Sequence, residues 1–139
     1  MLRFIGVVEK EDEKEVSKIR IFDEFCDGLK GLNTYSHIII LYWFHLRDTA
    51  EERAVLRVIP RRHPGSPEVG VFASRSPSRP NPIGLCVAEL VKMEGNILSV
   101  KGLDALEGSP VIDLKPYNPR ADAVPDAAVP QWALRGPKT

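Results

Sequence analysis

The chain is poor in the residues that staple small proteins or bind metals. It has two cysteines, Cys26 and Cys86, and three histidines, His37, His45 and His63, among 139 residues. Neither cysteine belongs to a CxxC or Cys/His spacing, which argues against a zinc site and a disulfide framework and leaves two buried free thiols as the expectation. Long apolar runs are missing too. Residues 38–44 form the longest, far short of a bilayer span, and His45 and Arg47 follow it. The N-terminal residues lack an apolar signal core and a small-residue cleavage site, so a cytoplasmic protein is expected. Neither sign of charge is in excess: 19 Lys/Arg meet 19 Asp/Glu, unlike a general nucleic-acid coat protein. There is no GxGxxG, P-loop, GxSxG, HExxH or zinc-deaminase signature, so the chemistries built on those motifs are unsupported.

What is present reads mostly as strands. The composition, 43% apolar and 27% charged, suits one soluble domain over residues 1–139 with an irregular tail from about 118. Residues 3–8 and 15–21 predict strands, and residues 22–32 a short helical turn followed by a loop. The β-branched and aromatic run at 35–46 predicts a central strand buried on both faces. Further strands are expected at 55–59, 70–74, 83–93, 97–101 and 111–114, with Gly95-Asn96 as a hairpin turn. Many short strands and few helical periods make the fold class all-β, a small barrel or a sandwich.

Two segments concentrate polar chemistry. Residues 69–85, VGVFASRSPSRPNPIGL, pass from an apolar start into Arg75, Arg79 and Asn81 among Pro77, Pro80 and Pro82. Each proline fixes φ near about −65° and removes a donor, so the loop is rigid and suited to holding a polar ligand. Six arginines fall between Arg53 and Arg79 against the single acid Glu68, while residues 9–15 carry five acids and two lysines. The second segment, residues 102–117 (GLDALEGSPVIDLKPY), sets Asp104, Glu107 and Asp113 around a Gly-Ser-Pro turn that can offer backbone groups to a ligand. Asp104 can equally be a turn cap, and Asp113 an arginine's partner. His45 ends the apolar run, where it can line a pocket mouth. His37 reads as a structural histidine and His63 as a loop residue.

These two segments resemble the hallmark motifs of the TsaA-like (TrmO) family, and residues 31–45, GLNTYSHIIILYWFH, resemble its third shared segment. The similarity runs from about Leu32 to Tyr117. It implies a β-barrel methyltransferase of non-Rossmann type, with short helical turns and no metal. It implies S-adenosyl-L-methionine as cofactor, held near the interface of a homodimer, and methylation of N6 of threonylcarbamoyl-adenosine 37 in tRNA. Residue by residue, His45 and Leu46 match the cofactor-binding pair at the strand end. Phe72 and Arg75 match the Phe-Ala-Thr/Ser-Arg segment, with Arg75 toward the methionine carboxylate. Leu85 or Cys86 match the contact after Pro-Ile-Gly. Glu107, Gly108, Ser109 and Pro110 match a turn usually read Asp-Gly-Thr-Pro. Asn81 and Asp104 are expected to orient adenosine or the substrate base, and Asp104 or Asp113 to accept the proton.

The chain departs from the family pattern in two places. The Ser-Pro-Phe/Tyr segment and Pro-Arg-Gln-type loop that many members carry after the first strand are replaced by EKEDEKEVSKIRI. A counterpart of the C-terminal domain that longer members use toward tRNA is not expected after Trp132. Three functions therefore compete: a tRNA adenosine methyltransferase, a methyltransferase of another RNA or a small molecule, and a non-catalytic cofactor-binding barrel.

Overall fold

A β-strand buries one row of side chains and shows the other, so the apolar rows decide the architecture. The computed structural model describes residues 1–11 and 15–138. Among them the strands are β1 (Gly6–Glu11), β2 (Val16–Ile21), β3 (His37–Trp43), β4 (Arg57–Val58), β5 (Val69–Gly70), β6 (Ile83–Glu94), β7 (Ile97–Lys101) and β8 (Pro110–Pro116). Contacts divide the chain into two compact units, Met1–His45 with Ile83–Asp122, and Leu46–Pro82 with the chain from Ala123 onward. Among the described residues no helix is long and apolar enough to cross a membrane. Residues 12–14, in the acidic run at 9–15, lie outside the described residues.

In the first unit six strands close an antiparallel barrel in the order β1-β2-β7-β6-β3-β8, as the all-β expectation requires. β8 seals it by pairing Val111 with Gly6 and Pro110 with Val7. The inward rows are Val8, Ile19, Ile21, Ile38, Ile40, Tyr42, Leu98, Val100 and Val111. Register explains how they fit. Across the ladder from Ile38, Ile40 and Tyr42 on β3 stand Ala88, Cys86 and Gly84 on β6, so each large inward side chain faces a small one. Small barrels fill their interiors this way, because facing large residues would overfill the bore. Of the other row, Ile39 and Leu41 opposite Val87 and Leu85 face outward, while Trp43 opposite Ile83 is buried with its ring 6.1 Å from that of Phe4. The run at 35–46 is thus buried fully on one face only; the barrel has an outside, and the odd-numbered residues Ile39 and Leu41 are half-exposed there.

Several boundaries move for local reasons. The first strand starts at Gly6, and Arg3 instead lays its guanidinium over the Phe25 ring at 5.5 Å. The strand expected at 70–74 winds into a 3-10 turn, Val71–Ala73, because Ser74 bonds the Val71 carbonyl through both its amide (3.1 Å) and its hydroxyl (3.0 Å). That side-chain competition is what disfavours strand there. Gly95-Asn96 does turn the β6–β7 hairpin, with Gly95 at φ 59°, and the Asn96 side chain ties it to the Ile21 carbonyl at 2.9 Å. The cysteines are free but only half-buried.

The second unit is short of strand, with β4 and β5 pairing over two residues each. Polar lacing organises it. Thr49 caps the one-turn helix α1 (Ala50–Arg53) by accepting from the Glu52 amide at 3.2 Å. Arg47 donates to Ser78 Oγ (2.9 Å) and Glu52 (3.3 Å), and the Ser78 hydroxyl donates to the same carboxylate. That hydroxyl is the main reason the Glu52 carboxyl lies below the ordinary carboxylate range; burial opposes it, and Arg47 adds to the lowering. His63 lies in a loop as expected, but a buried and bonded one. It is 8% exposed, with Nδ1 2.6 Å from the Arg135 carbonyl and its ring beside Trp132. His37, by contrast, sits exposed at the start of β3 with Nδ1 2.8 Å from Ser36 Oγ.

Two outcomes are expected. A Cβ at Gly84 would lie 2.6 Å from Tyr42 Cζ and 2.8 Å from Phe44 Cζ. Gly84→Ala should therefore destabilise the barrel by about 1–3 kcal/mol, read as a lower urea midpoint at unchanged slope. A carboxyl with a depressed folded pKa stabilises above its ordinary pKa and loses that contribution as pH falls through the folded value. Amide protection of Ser76 and Ser78, relative to intrinsic exchange, should fall across that acidic window in the native protein and lose that pH dependence in Ser78→Ala.

Candidate functional site

The end of β3 and the turn before β8 meet in the first unit. His45 leaves the strand half-buried and opens a 3-10 turn, His45–Arg47. Gly108 faces it, and a Cβ on Gly108 would stand 3.7 Å from His45 Nε2. Gly108 has φ 88°, the left-handed region where a side chain costs about 1–2 kcal/mol, so the turn needs glycine there. Backbone bonds weld this turn to β1. The Gly108 amide reaches the Val8 carbonyl at 2.8 Å, and the Val8 amide the Ser109 carbonyl at 2.9 Å. The Ser109 amide is spent on Leu106 at 3.1 Å, and its side chain is buried. Glu107 is exposed, while Pro110 starts β8 against Val7. The two amides that the sequence offered to a ligand are thus committed to the barrel, which fixes the turn rigidly beside His45.

The two candidate carboxylates have separate surroundings. Asp104 accepts a hydrogen bond from the buried Tyr42 hydroxyl at 2.8 Å. Tyr42 gets there because its ring crosses the space left by Gly84, its β6 partner. The Cys86 thiol donates to the Gly102 carbonyl at 3.2 Å, and burial first, then the Asp104 charge, push its pKa up. Cys86 is therefore a protonated, unreactive thiol at neutral pH. Asp113 binds its neighbours instead: Lys115 Nζ at 3.0 Å and the Leu114 amide at 3.0 Å. It edges a groove with Phe25, Leu32, Tyr35 and Pro116. Leu85, paired with Leu41, points outward from β6.

The proline loop lies in the second unit, with Leu46, Phe72, Arg75 and Asn81. Its rigidity comes from serines and arginines as much as from prolines. The Ser76 amide bonds Ser74 Oγ and the Ser78 amide bonds Ser76 Oγ, both at 3.2 Å. Arg79 closes the turn with bonds to the Ser74 and Ser76 carbonyls at 3.0 Å each, a structural role. Arg53 reaches the Pro80 carbonyl (2.8 Å), Asp48 (3.1 Å) and Asn81 Oδ1 (3.3 Å). Asn81 is thereby oriented from behind. Arg75 is exposed and, among the described residues, no hydrogen bond or ion pair engages it. Phe72 is 79% exposed and Leu46 also faces solvent.

Sequence reasoning missed Tyr42, Gly84, Arg47, Glu52, Ser78 and Arg53 as site supports. A glycine inside an otherwise apolar strand marks a close approach, so Gly84 was the one legible signal. Among the described residues no group of three or more His, Cys, Asp or Glu side chains could hold a metal ion.

Comparisons with known proteins agree with this architecture. The family described as the tRNA-methyltransferase O N-terminal domain matches residues 9–123. An S-adenosyl-L-methionine-binding protein of Archaeoglobus fulgidus is 56% identical over 110 residues, 78% of this chain and 74% of that protein. A second protein of the same organism, named a probable S-adenosyl-L-methionine-binding protein, is 48% identical over 126 residues, 91% of this chain and 33% of its own length. The crystal structure of TrmO from Pseudomonas aeruginosa matches with a TM-score of 0.70 at 29% identity, over 92% of this chain and 60% of that one. The chain thus spans a third of one relative and three-fifths of the solved TrmO chain. The matched residues take in all of the barrel but the start of β1, with the proline loop and the turn beside His45, and the chain belongs to the TrmO N-terminal domain family.

Proposed function

We propose that the chain binds S-adenosyl-L-methionine and methylates N6 of threonylcarbamoyl-adenosine 37 in tRNA. The observation that carries this reading is the His45–Gly108 corner, built from two of the three segments that carry the family resemblance. Its relatives' names support the cofactor. The residues fit such a ligand chemically. Arg75 is a guanidinium with no protein partner among the described residues, suited to a bidentate hold on a carboxylate. His45, Leu46, Phe72 and Leu85 offer ring and apolar surface; Asn81 and the exposed Glu107 offer polar edges.

Bound cofactor supplies the methyl group and, as a sulfonium, its own leaving group. The protein's task is then alignment of the accepting nitrogen. An exocyclic adenine amine is a weak nucleophile that must shed a proton as the N–C bond forms. Asp104 is the acceptor in this scheme, its carboxylate oriented through one oxygen by Tyr42. Asp113 is less suited, since Lys115 and the Leu114 amide occupy its oxygens. A second copy of the chain is proposed on the barrel's outer face. There Ile83, Leu85, Val87 and Val91 are exposed along β6, the first three paired across the ladder with Trp43, Leu41 and Ile39.

Calorimetry should show saturable S-adenosyl-L-methionine binding, weakened about 10- to 100-fold by Arg75→Ala at unchanged unfolding midpoint, the loss expected for a charge-assisted contact. Incubation with labelled cofactor and threonylcarbamoylated tRNA should yield the N6-methylated nucleoside. Asp104→Asn should slow that by about 10²–10⁴-fold without altering cofactor affinity. Unchanged nucleosides with cofactor bound would shift the reading to another methyl acceptor. Sedimentation should give a dimer for the native chain and a monomer for Val87→Glu.

A further inference from the structure

We propose that residues 60–66 of the second unit form a preorganised contact for the phosphate backbone of RNA, presented by Arg61 and Arg62 and held in place by the C-terminal turn. The proposal rests on the RNA reading above and names a surface for it. It starts from how the charge is distributed. The chain is neutral, yet residues 46–82 and 123–139 hold nine Lys/Arg against five Asp/Glu, and the remainder ten against fourteen. The second unit is therefore positive by four and the first negative by the same amount.

The arginines of the second unit fall into two groups. Arg47, Arg53, Arg57, Arg79 and Arg135 are spent on carboxylates, hydroxyls or carbonyls of their own unit. Asp48, Glu52 and Glu68 are paired by three of them. Arg61 and Arg62 are exposed, adjacent and, among the described residues, engaged by no hydrogen bond or ion pair. Internal pairing thus cancels most of the unit's acids and leaves guanidiniums facing water, where they fit phosphate oxygens. Of the two arginines that the proline loop made conspicuous, Arg75 and Arg79, the second is scaffold.

The loop that carries the pair is fixed. Within it, the His63 amide reaches the Pro60 carbonyl at 3.0 Å, as does Ser66 Oγ at 2.8 Å, and the Ser66 amide reaches His63 at 3.1 Å. The 3-10 turn Gln131–Leu134 and the residues after it grip it from outside. His63 Nδ1 binds the Arg135 carbonyl and its ring packs on Trp132, while Arg135 Nη1 donates to the Pro64 carbonyl at 3.1 Å. Gly136 passes so close that a Cβ would stand 2.0 Å from the Arg62 carbonyl oxygen. A loop ordered before binding loses less entropy on contact.

The test measures affinity of the full chain for labelled threonylcarbamoylated tRNA from about 50 to about 200 mM salt, with S-adenosyl-L-methionine affinity followed in parallel. Each neutralised phosphate contributes roughly 0.7–0.9 to the log–log salt slope. Arg61→Gln with Arg62→Gln should reduce that slope by about 1.4–1.8 and weaken binding, leaving cofactor affinity and unfolding midpoint as in the native chain. The double lysine variant should restore the slope, as charge alone sets it. His63→Ala keeps both arginines and should weaken binding at a near-native slope. A native slope and affinity in the double glutamine variant overturn the loop assignment while the RNA reading stands. A native chain that binds cofactor but no tRNA at any salt overturns both. Salt-dependent binding of poly-glutamate in place of tRNA, lost in the glutamine variant, overturns the choice of nucleic acid as partner.

Discussion

Tyr42 lying across Gly84 is the contact on which the first unit turns. A six-stranded barrel has too narrow a bore for two large residues to face each other, and β3 brings three large ones. β6 answers with alanine, cysteine and glycine at the same levels. At the top level the exchange is extreme, with no side chain opposite a tyrosine, and this places a phenol where its hydroxyl meets Asp104. One register thus sets both the packing of the core and the orientation of a carboxylate at its edge. A slip by one residue would turn every inward side chain outward, so the packing also selects the pairing.

The second unit obeys a different logic. With two two-residue strands and few buried apolar side chains, it draws its order from hydroxyl–carbonyl and guanidinium–carbonyl bonds. Arg53 and Arg79 work as crosslinks between turns of the proline loop. Arginine suits this because its planar fork satisfies several acceptors at once and stays charged at any ordinary pH. The same residue type therefore does two jobs in one segment, and only the partners tell which arginine does which.

That division explains how far the sequence could be read. The β-branched and aromatic run at 35–46 and the many short strands made the all-β class legible, while residue pattern alone left barrel and sandwich open. The Gly95-Asn96 turn was legible for the same kind of local reason. Asp104 was named from the sequence, but the tyrosine that orients it was not, because Tyr42 reads as one more apolar member of its strand. Arg79 and Arg75 look alike in the sequence; five residues of serine and proline geometry decide that one is buried in bonds and the other is open. His63 carried no signal at all, since its partners come 69 and 72 residues later.

That separation bears on how the chain acquires its structure during synthesis. All six barrel strands are made by residue 116, so the first unit has its complete complement of strands while the last residues are still to be added. The second unit begins earlier, at Leu46, yet its loop at 60–66 waits for Trp132 and Arg135. The loop that carries the arginine pair therefore cannot take its fixed position until Trp132 and Arg135 have been made, after all six barrel strands.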